Sequence, residues 1–162
     1  MSEQRIRAAT EADIPDILRL VRALAVYENE PVETVRMTEA DLRRYGFGPR
    51  PIFEVLLAEN AGAAVGFALF FHNFSTWEGR PGLYVEDLFV EERARGLGLG
   101  RRLIAEIARI AKARDCRRVD LWVLHWNPTR EFYHRIGINH MEEWLPYRME
   151  GDAIDAMAAG AD

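Results

Sequence analysis

Apolar residues recur along this chain with two periods. Ile14, Ile17, Leu18, Val21, Leu24 and Ala25 fall at the spacing of one helix face. Thr10-Glu11-Ala12-Asp13 ahead of them reads as a cap: the threonine oxygen can accept an early backbone N–H, and the acids suit the positive helix end. The same four letters return at Thr38 to Asp41, ahead of Leu42 and a stop at Gly46-Phe47-Gly48-Pro49. A second, shorter helix is expected there, and not a repeat, because nothing else in the two regions matches. Arg5-Ile6-Arg7 alternates and predicts a short edge strand. Phe53 to Glu59 and Ala64 to His72, joined by Asn60-Ala61-Gly62, predict a hairpin, and Leu83 to Val90 another strand. Leu103, Ile104, Ile107, Ile110 and Ala111 form an apolar stripe while Arg102, Glu106, Arg109 and Lys112 stay on the wet face, which predicts a helix. A strand at Val119 to Leu124, a helix at Thr129 to Ile136 ended by Gly137, and a last strand near Tyr147 to Met149 complete the series. Such an order predicts an α/β sheet, part antiparallel and part parallel. The tail from Gly151 to Asp162 is alanine-rich and carries no prediction.

Composition narrows what this pattern can serve. The chain has 162 residues, 49% hydrophobic and 29% charged, which suits a single domain over 1–162 with a substantial core. A formal charge of -5 argues against a nucleic-acid partner. Cys116 is the one cysteine and sits in a charged run without metal-ligand spacing, which points to a reducing compartment. The first residues lack an apolar signal core and no apolar run approaches the ~20 residues that cross a bilayer. The expectation is a soluble cytoplasmic protein with no membrane partner. His72, His125, His134 and His140 are scattered, so no metal is expected.

The turn "ERARGLGLGRRL", Glu92 to Leu103, places glycines at 96, 98 and 100 between a strand and a helix. That arrangement aims backbone N–H groups and a positive helix end at an anion, and glycines let the chain pass close to it. A P-loop would need Lys and Ser/Thr where Arg101 and Arg102 stand. A dinucleotide fingerprint would need a small residue at Arg101, although Asp120 lies about where a ribose-binding acid is expected. On its own the turn leaves a surface loop and an anion site both open.

Its surroundings carry a resemblance. Arg95-Gly96-Leu97-Gly98-Leu99-Gly100 resembles the Arg/Gln-x-x-Gly-x-Gly/Ala loop of the GCN5-related N-acetyltransferases, whose backbone amides hold the pyrophosphate of acetyl-coenzyme A. "IRAATEADIPDILRL", "TEADLRRYGFG", "LYVEDLFV" and "WNPTREFYHRIG" extend the resemblance to the spermidine/spermine acetyltransferase branch over nearly the whole chain. It implies a mixed six- to seven-stranded sheet flanked by about four helices, in the order β-α-α-β-β-β-α-β-α-β-β. It also implies direct acetyl transfer in a ternary complex, with acetyl-CoA as cosubstrate, a homodimer, and coenzyme contacts at Leu88, Phe89, Val90, Arg95, Gly96, Leu97, Gly98, Leu99, Gly100, Arg101, Asn127 and Tyr133. Asn127 and Tyr133 are six residues apart, where the family usually has seven.

Acetyl transfer to an amine needs a neutral amine, stabilisation of the carbonyl oxygen and a proton for the departing thiolate. Glu86 and Asp87 stand inside an apolar strand just before the loop. Strand alternation would put Glu86 opposite Val85 and Asp87, where its apolar neighbours would raise its pKa. By resemblance Glu86 is the base and Asp87 orients substrate or structure. Tyr133 takes the general acid's place and the Leu88 N–H faces the carbonyl oxygen. Tyr27, Glu28 and Glu30, with Trp77 and Glu78, supply acids and aromatics suited to an extended ammonium ligand. "EEWLPYRMEG" resembles a signature of the same branch, which implies that Trp144, Tyr147 and Arg148 line the acceptor or dimer region, with ordinary packing as the alternative. The first acceptor class is a diamine or polyamine. The alternatives are an amino-acid side-chain amine such as lysine or its sulfur analogue and, outside enzymes, a non-catalytic coenzyme- or nucleotide-binding module.

Overall fold

In the computed structural model of the chain, which describes residues 3–160, alternation along one strand divides the core in two. On β2 (Glu54–Asn60), Val55 and Leu57 point to one face of the sheet while Leu56 and Ala58 point to the other. The first face packs against α1 (Ile14–Tyr27) and α2 (Glu39–Gly46), through Ile14, Ile17, Leu18, Leu20, Leu24 and Leu42. The second packs against α3 (Leu99–Ala113), through Leu99, Leu103, Ile107 and Ala111. Most of each stripe read from helical spacing is buried, but Val21, Ile104 and Ile110 are only half-buried, and Leu20 and Leu99, outside those stripes, are buried too.

The sheet has five strands in the order β1-β2-β3-β4-β5. β1 (Gln4–Ala8) is an edge strand, antiparallel to β2. β3 (Ala63–Ser75) and β4 (Arg80–Val90) continue the antiparallel meander, and β5 (Val119–Leu121) adds in parallel beside β4 after the α3 crossover. Both Thr-Glu-Ala-Asp segments act as caps. The Thr10 N–H donates to the Asp13 carboxylate at 2.7 Å, and the Thr38 N–H to Asp41 at 2.9 Å. Asp13 also meets Arg7, whose guanidinium holds that carboxyl well below the usual range and bridges to Glu59 at 2.7 Å.

The chain divides into two compact units, one ending at Trp122 and the other beginning at Val123. The second contains α4 (Thr129–Arg135) and α5 (Asp152–Ala158). Two expectations need correction here. Five strands form among the described residues, not six or seven, because the segment around Tyr147 to Met149 stays irregular, and the expected strand at Val119 to Leu124 ends at Leu121. Aromatic residues favour a strand only where a neighbouring strand supplies hydrogen bonds and packing. Here Trp144 is 71% exposed and Tyr147 87%. The alanine-rich tail, by contrast, forms the fifth α-helix, where about four helices were expected.

Candidate active site

The centre of the site is an irregularity in β4. Val85 pairs with Phe70 and Asp87 with Leu69, so Glu86 is an extra residue, a β-bulge, between consecutive pairs. The bulge reverses the strand's phase. Leu83 and Val85 pack on the α3 side before it, whereas Leu88 and Val90 do so after it, and Phe89 joins the α1 side. Asp87 consequently turns to the face of Phe89 and α1, not to the face of Val85 as strict alternation would have it. Glu86 is exposed, and Asp87 is the carboxyl that burial affects. Its pKa is pushed up to about 7, by desolvation first and then by the charges of Glu86 and Glu28. The desolvation expected of Glu86 therefore falls on Asp87 instead, because the bulge leaves Glu86 exposed.

β5 pairs with β4 only along Leu83 to Val85, so the edge of β4 beyond the bulge is open among the described residues. The Glu91 N–H donates across to the Val65 carbonyl at 2.8 Å. By alternation Asp87 and Phe89 direct their backbone groups at β3, while Leu88 and Val90 direct theirs to the open edge. The Val90 carbonyl there accepts from Arg95 Nε at 3.1 Å. A backbone donor at Leu88 therefore faces outward beside the carboxylates.

The end of α1 closes one side. Its chain turns through Asn29 at φ 62, with the Glu30 N–H reaching the Ala25 carbonyl at 2.9 Å. Glu28 occupies the C-cap, where the helix dipole disfavours an anion. Burial, then the charge of Glu30, raises its pKa. Neither Glu28, Glu86 nor Asp87 has an arginine or lysine partner among the described residues. Tyr27 lies against Phe89, with ring centroids 6.0 Å apart, and the Arg95 guanidinium stands 4.5 Å over the Tyr27 ring. One aromatic face expected to receive an acceptor cation is thus taken by a cation of the chain itself.

The glycine turn fits a diphosphate in three respects. Gly96 and Gly98 hold φ of 79 and 75, the left-handed region, and a Cβ at either would meet nothing within 4 Å, so the cradle is open. Gly98 is the N-cap of α3, where no side chain covers the first backbone N–H groups. Arg101 is exposed with no acidic partner among the described residues, and Gly100, Leu97 and Leu99 complete the turn, Leu99 anchoring it in the core.

Other expected residues lie elsewhere. Trp77, 88% exposed, and Glu78 occupy the β3–β4 turn. Asp87 is seven residues beyond Arg80, roughly 20 Å along the strand. Glu78 pairs with Arg118 at 3.5 Å, as a surface acid does. In the second unit Tyr133 is 7% exposed on α4 with its ring beside Phe132, centroids 5.4 Å apart. Asn127 is buried and its Oδ1 accepts the Thr129 N–H at 2.9 Å, a cap at the start of α4. Trp144 and Tyr147 are exposed, and Arg148 lies 3.8 Å from Glu150. Sequence reasoning missed the Asn73–Asp120 contact, 3.1 Å between strands two apart in the sheet, which no local pattern signals.

Comparison with known proteins fits this geometry. Residues 14–138, spanning both units, match the family described as the Acetyltransferase (GNAT) family. Thialysine N-epsilon-acetyltransferase of Mus musculus is 36% identical, over 98% of this chain and 99% of that protein. The human spermidine/spermine N(1)-acetyltransferase-like protein 1 is 32% identical over 95% of this chain, which spans 24% of that longer protein. Among solved structures, an integron cassette protein from the mobile metagenome of V. cholerae superposes with a TM-score of 0.79 at 28% identity, covering 96% of this chain and 97% of that one.

Proposed function

Because this chain belongs to the acetyltransferase (GNAT) family, we propose that it transfers the acetyl group of acetyl-coenzyme A to a primary amine of a small cationic acceptor, first a diamine or polyamine, in a ternary complex. The observation that carries the acceptor class is the convergence of Glu28, Glu86 and Asp87, none with a cationic partner among the described residues, beside the open edge of β4. Carboxylates left unpaired repel one another, and a cationic ligand relieves that repulsion. Residues 1–162 act in this reading as one N-acetyltransferase domain.

The coenzyme supplies the acetyl thioester, and the chain's residues do the rest. The α3 N-terminus with Gly96, Gly98 and Gly100 cradles the pyrophosphate; Arg101 meets its charge, and Arg95 borders it. Leu88, Phe89 and Val90 offer the backbone edge along which the rest of the coenzyme lies. Glu86, projecting from the bulge, takes a proton from the acceptor ammonium, directly or through water, and Asp87, whose pKa lies near 7, is a second group able to hold it. The freed amine nitrogen attacks the acetyl carbon, whose oxygen is polarised by the Leu88 N–H. The C–S bond breaks as Tyr133 gives its proton to the sulfur; the attacking nitrogen then loses its second proton, which returns to Tyr133 through solvent, and the first proton, held by the carboxylate, leaves to water. Asn127 holds the start of α4 and with it the placement of Tyr133. Glu28 and Tyr27 frame the acceptor. Trp77, remote from Asp87 along its own chain, fits an acceptor contact only for a long ligand or across a second copy.

A lysine-like acceptor is the second reading, favoured by the identity with the murine thialysine enzyme. The apolar residues left exposed between Met141 and Met149 support a homodimer. Light scattering tests that. A cytoplasmic setting without nucleic-acid or membrane partners accords with the lone cysteine and negative charge, and no helix among the described residues is long and apolar enough to cross a membrane. The decisive experiment incubates the protein with acetyl-coenzyme A and spermidine, 1,4-diaminobutane, thialysine or lysine, following free thiol. Spermidine should release thiol fastest. Faster release with thialysine would support the second reading, and no release above the amine-free rate would refute catalysis.

A further inference from the structure

Toward the β3–β4 turn, the α1 face of the sheet carries a second carboxylate that the proposed chemistry leaves unused. Asp120 stands in register with Tyr84 across the parallel β4–β5 pair. It is half-buried, and among the described residues it has no arginine or lysine partner. Its Oδ2 accepts from Asn73 Nδ2 at 3.1 Å. That contact crosses a whole strand. Asn73 on β3 pairs with Gly82 on β4, and its amide passes over Gly82 to reach β5. A Cβ at Gly82 would come within 2.4 Å of Asn73 Oδ1, so the glycine makes the crossing possible. The carboxylate is therefore held in one orientation with its second oxygen uncommitted.

An aromatic wall stands beside it. Phe71 stacks on Tyr84, centroids 5.2 Å apart at 29°, and Trp122 meets Tyr84 edge-on at 6.1 Å and 85°. Trp122, the residue directly after β5, is 58% exposed, a large apolar surface left to solvent. From Asp120 to Asp87 is one strand spacing across and three residues along β4, about 10 Å.

We propose that Asp120, oriented by Asn73 and walled by Phe71, Tyr84 and Trp122, is the subsite for the remote ammonium of a long diamine or polyamine whose other amine is acetylated beside Glu86 and Asp87. The inference rests on the acetyltransferase reading and deepens it. A carboxylate with aromatic surface holds an ammonium through charge and cation–π attraction together. The separation favours an acceptor longer than 1,4-diaminobutane. An amino-acid acceptor would bring its own carboxylate toward Asp120, and like charges repel.

The test compares the wild type with Asp120→Asn and Trp122→Ala, measuring KM and kcat for spermidine and for propylamine, which has no remote ammonium. The ratio of the spermidine KM to the propylamine KM should rise about tenfold in each variant, with kcat for spermidine altered far less. Gly82→Ala, which displaces Asn73, should move the ratio in the same direction, and circular-dichroism melting verifies the fold. An unchanged ratio in Asp120→Asn overturns the subsite. Calorimetric titration of spermidine into wild type and Asp120→Asn separates this from the catalytic reading: turnover with no amine refutes catalysis, while equal spermidine affinity in the two proteins refutes the subsite.

Discussion

Replacing Asp87 by Asn should make the protein more stable and less active. The folded protein raises the Asp87 pKa from its ordinary 3.8 to about 7, a difference of roughly 3 units. At 1.36 kcal/mol per unit the upper bound is about 4 kcal/mol, and solvent access with relaxation of Glu86 reduces this to about 1–2 kcal/mol. The folded state holds this proton more tightly than the unfolded chain does. Its stabilising contribution is full below about pH 4, declines as pH rises toward 7, and is lost above that. Asn has no proton to lose. Thermal unfolding of both proteins from pH 4 to 9 should show Tm curves that separate as pH rises to about 7 and run parallel beyond it, the variant higher by about 3–6 °C. At pH 8 spermidine should raise the wild-type Tm more than the variant's, because a bound cation relieves the repulsion among Glu28, Glu86 and Asp87. Curves parallel over the whole range, or a variant less stable at pH 8, would refute the placement of Asp87 in a desolvated, acid-crowded site.

Gly98→Ala forces a Cβ into the left-handed region at φ 75 and should cost about 1 kcal/mol of stability. Coenzyme affinity should fall severalfold as well, measured calorimetrically, and unchanged affinity would remove this turn from the coenzyme site. Tyr133→Phe should lower turnover by at least tenfold while coenzyme affinity stays within about twofold, and an unchanged rate excludes Tyr133 as the acid. Leu103, fully buried in the α3 core, gives the structural control: Leu103→Ala should cost about 2–5 kcal/mol in denaturant unfolding.

What sequence reveals here is whatever repeats or sits locally. The stripe of α3 and both capping boxes depend on contacts within a few residues, and Gly96 and Gly98 do adopt the backbone that only glycine enters easily. The bulge at Glu86 is a two-strand event. Its trace was nonetheless present, since apolar residues stand at 83 and 85 and again at 88 and 90, a change of phase within one strand. Reading period 2 without a break placed Asp87 on the wrong face and credited Glu86 with a burial that belongs to its neighbour. The last expected strand, near Tyr147 to Met149, failed for a related reason: β propensity at Tyr147 is conditional on a partner strand, and none among the described residues pairs with that segment. Asn73, Gly82 and Asp120 lie further still from local legibility, because each looks ordinary in its own strand and only the register β3–β4–β5 brings them together. The residues proposed to select the amine are thus set by pairing across the sheet, while the glycine turn proposed for the coenzyme is contiguous. A contiguous motif is legible in one stretch of sequence, and a constellation built by strand pairing is not, so the donor is expected to be readable from sequence sooner than the acceptor.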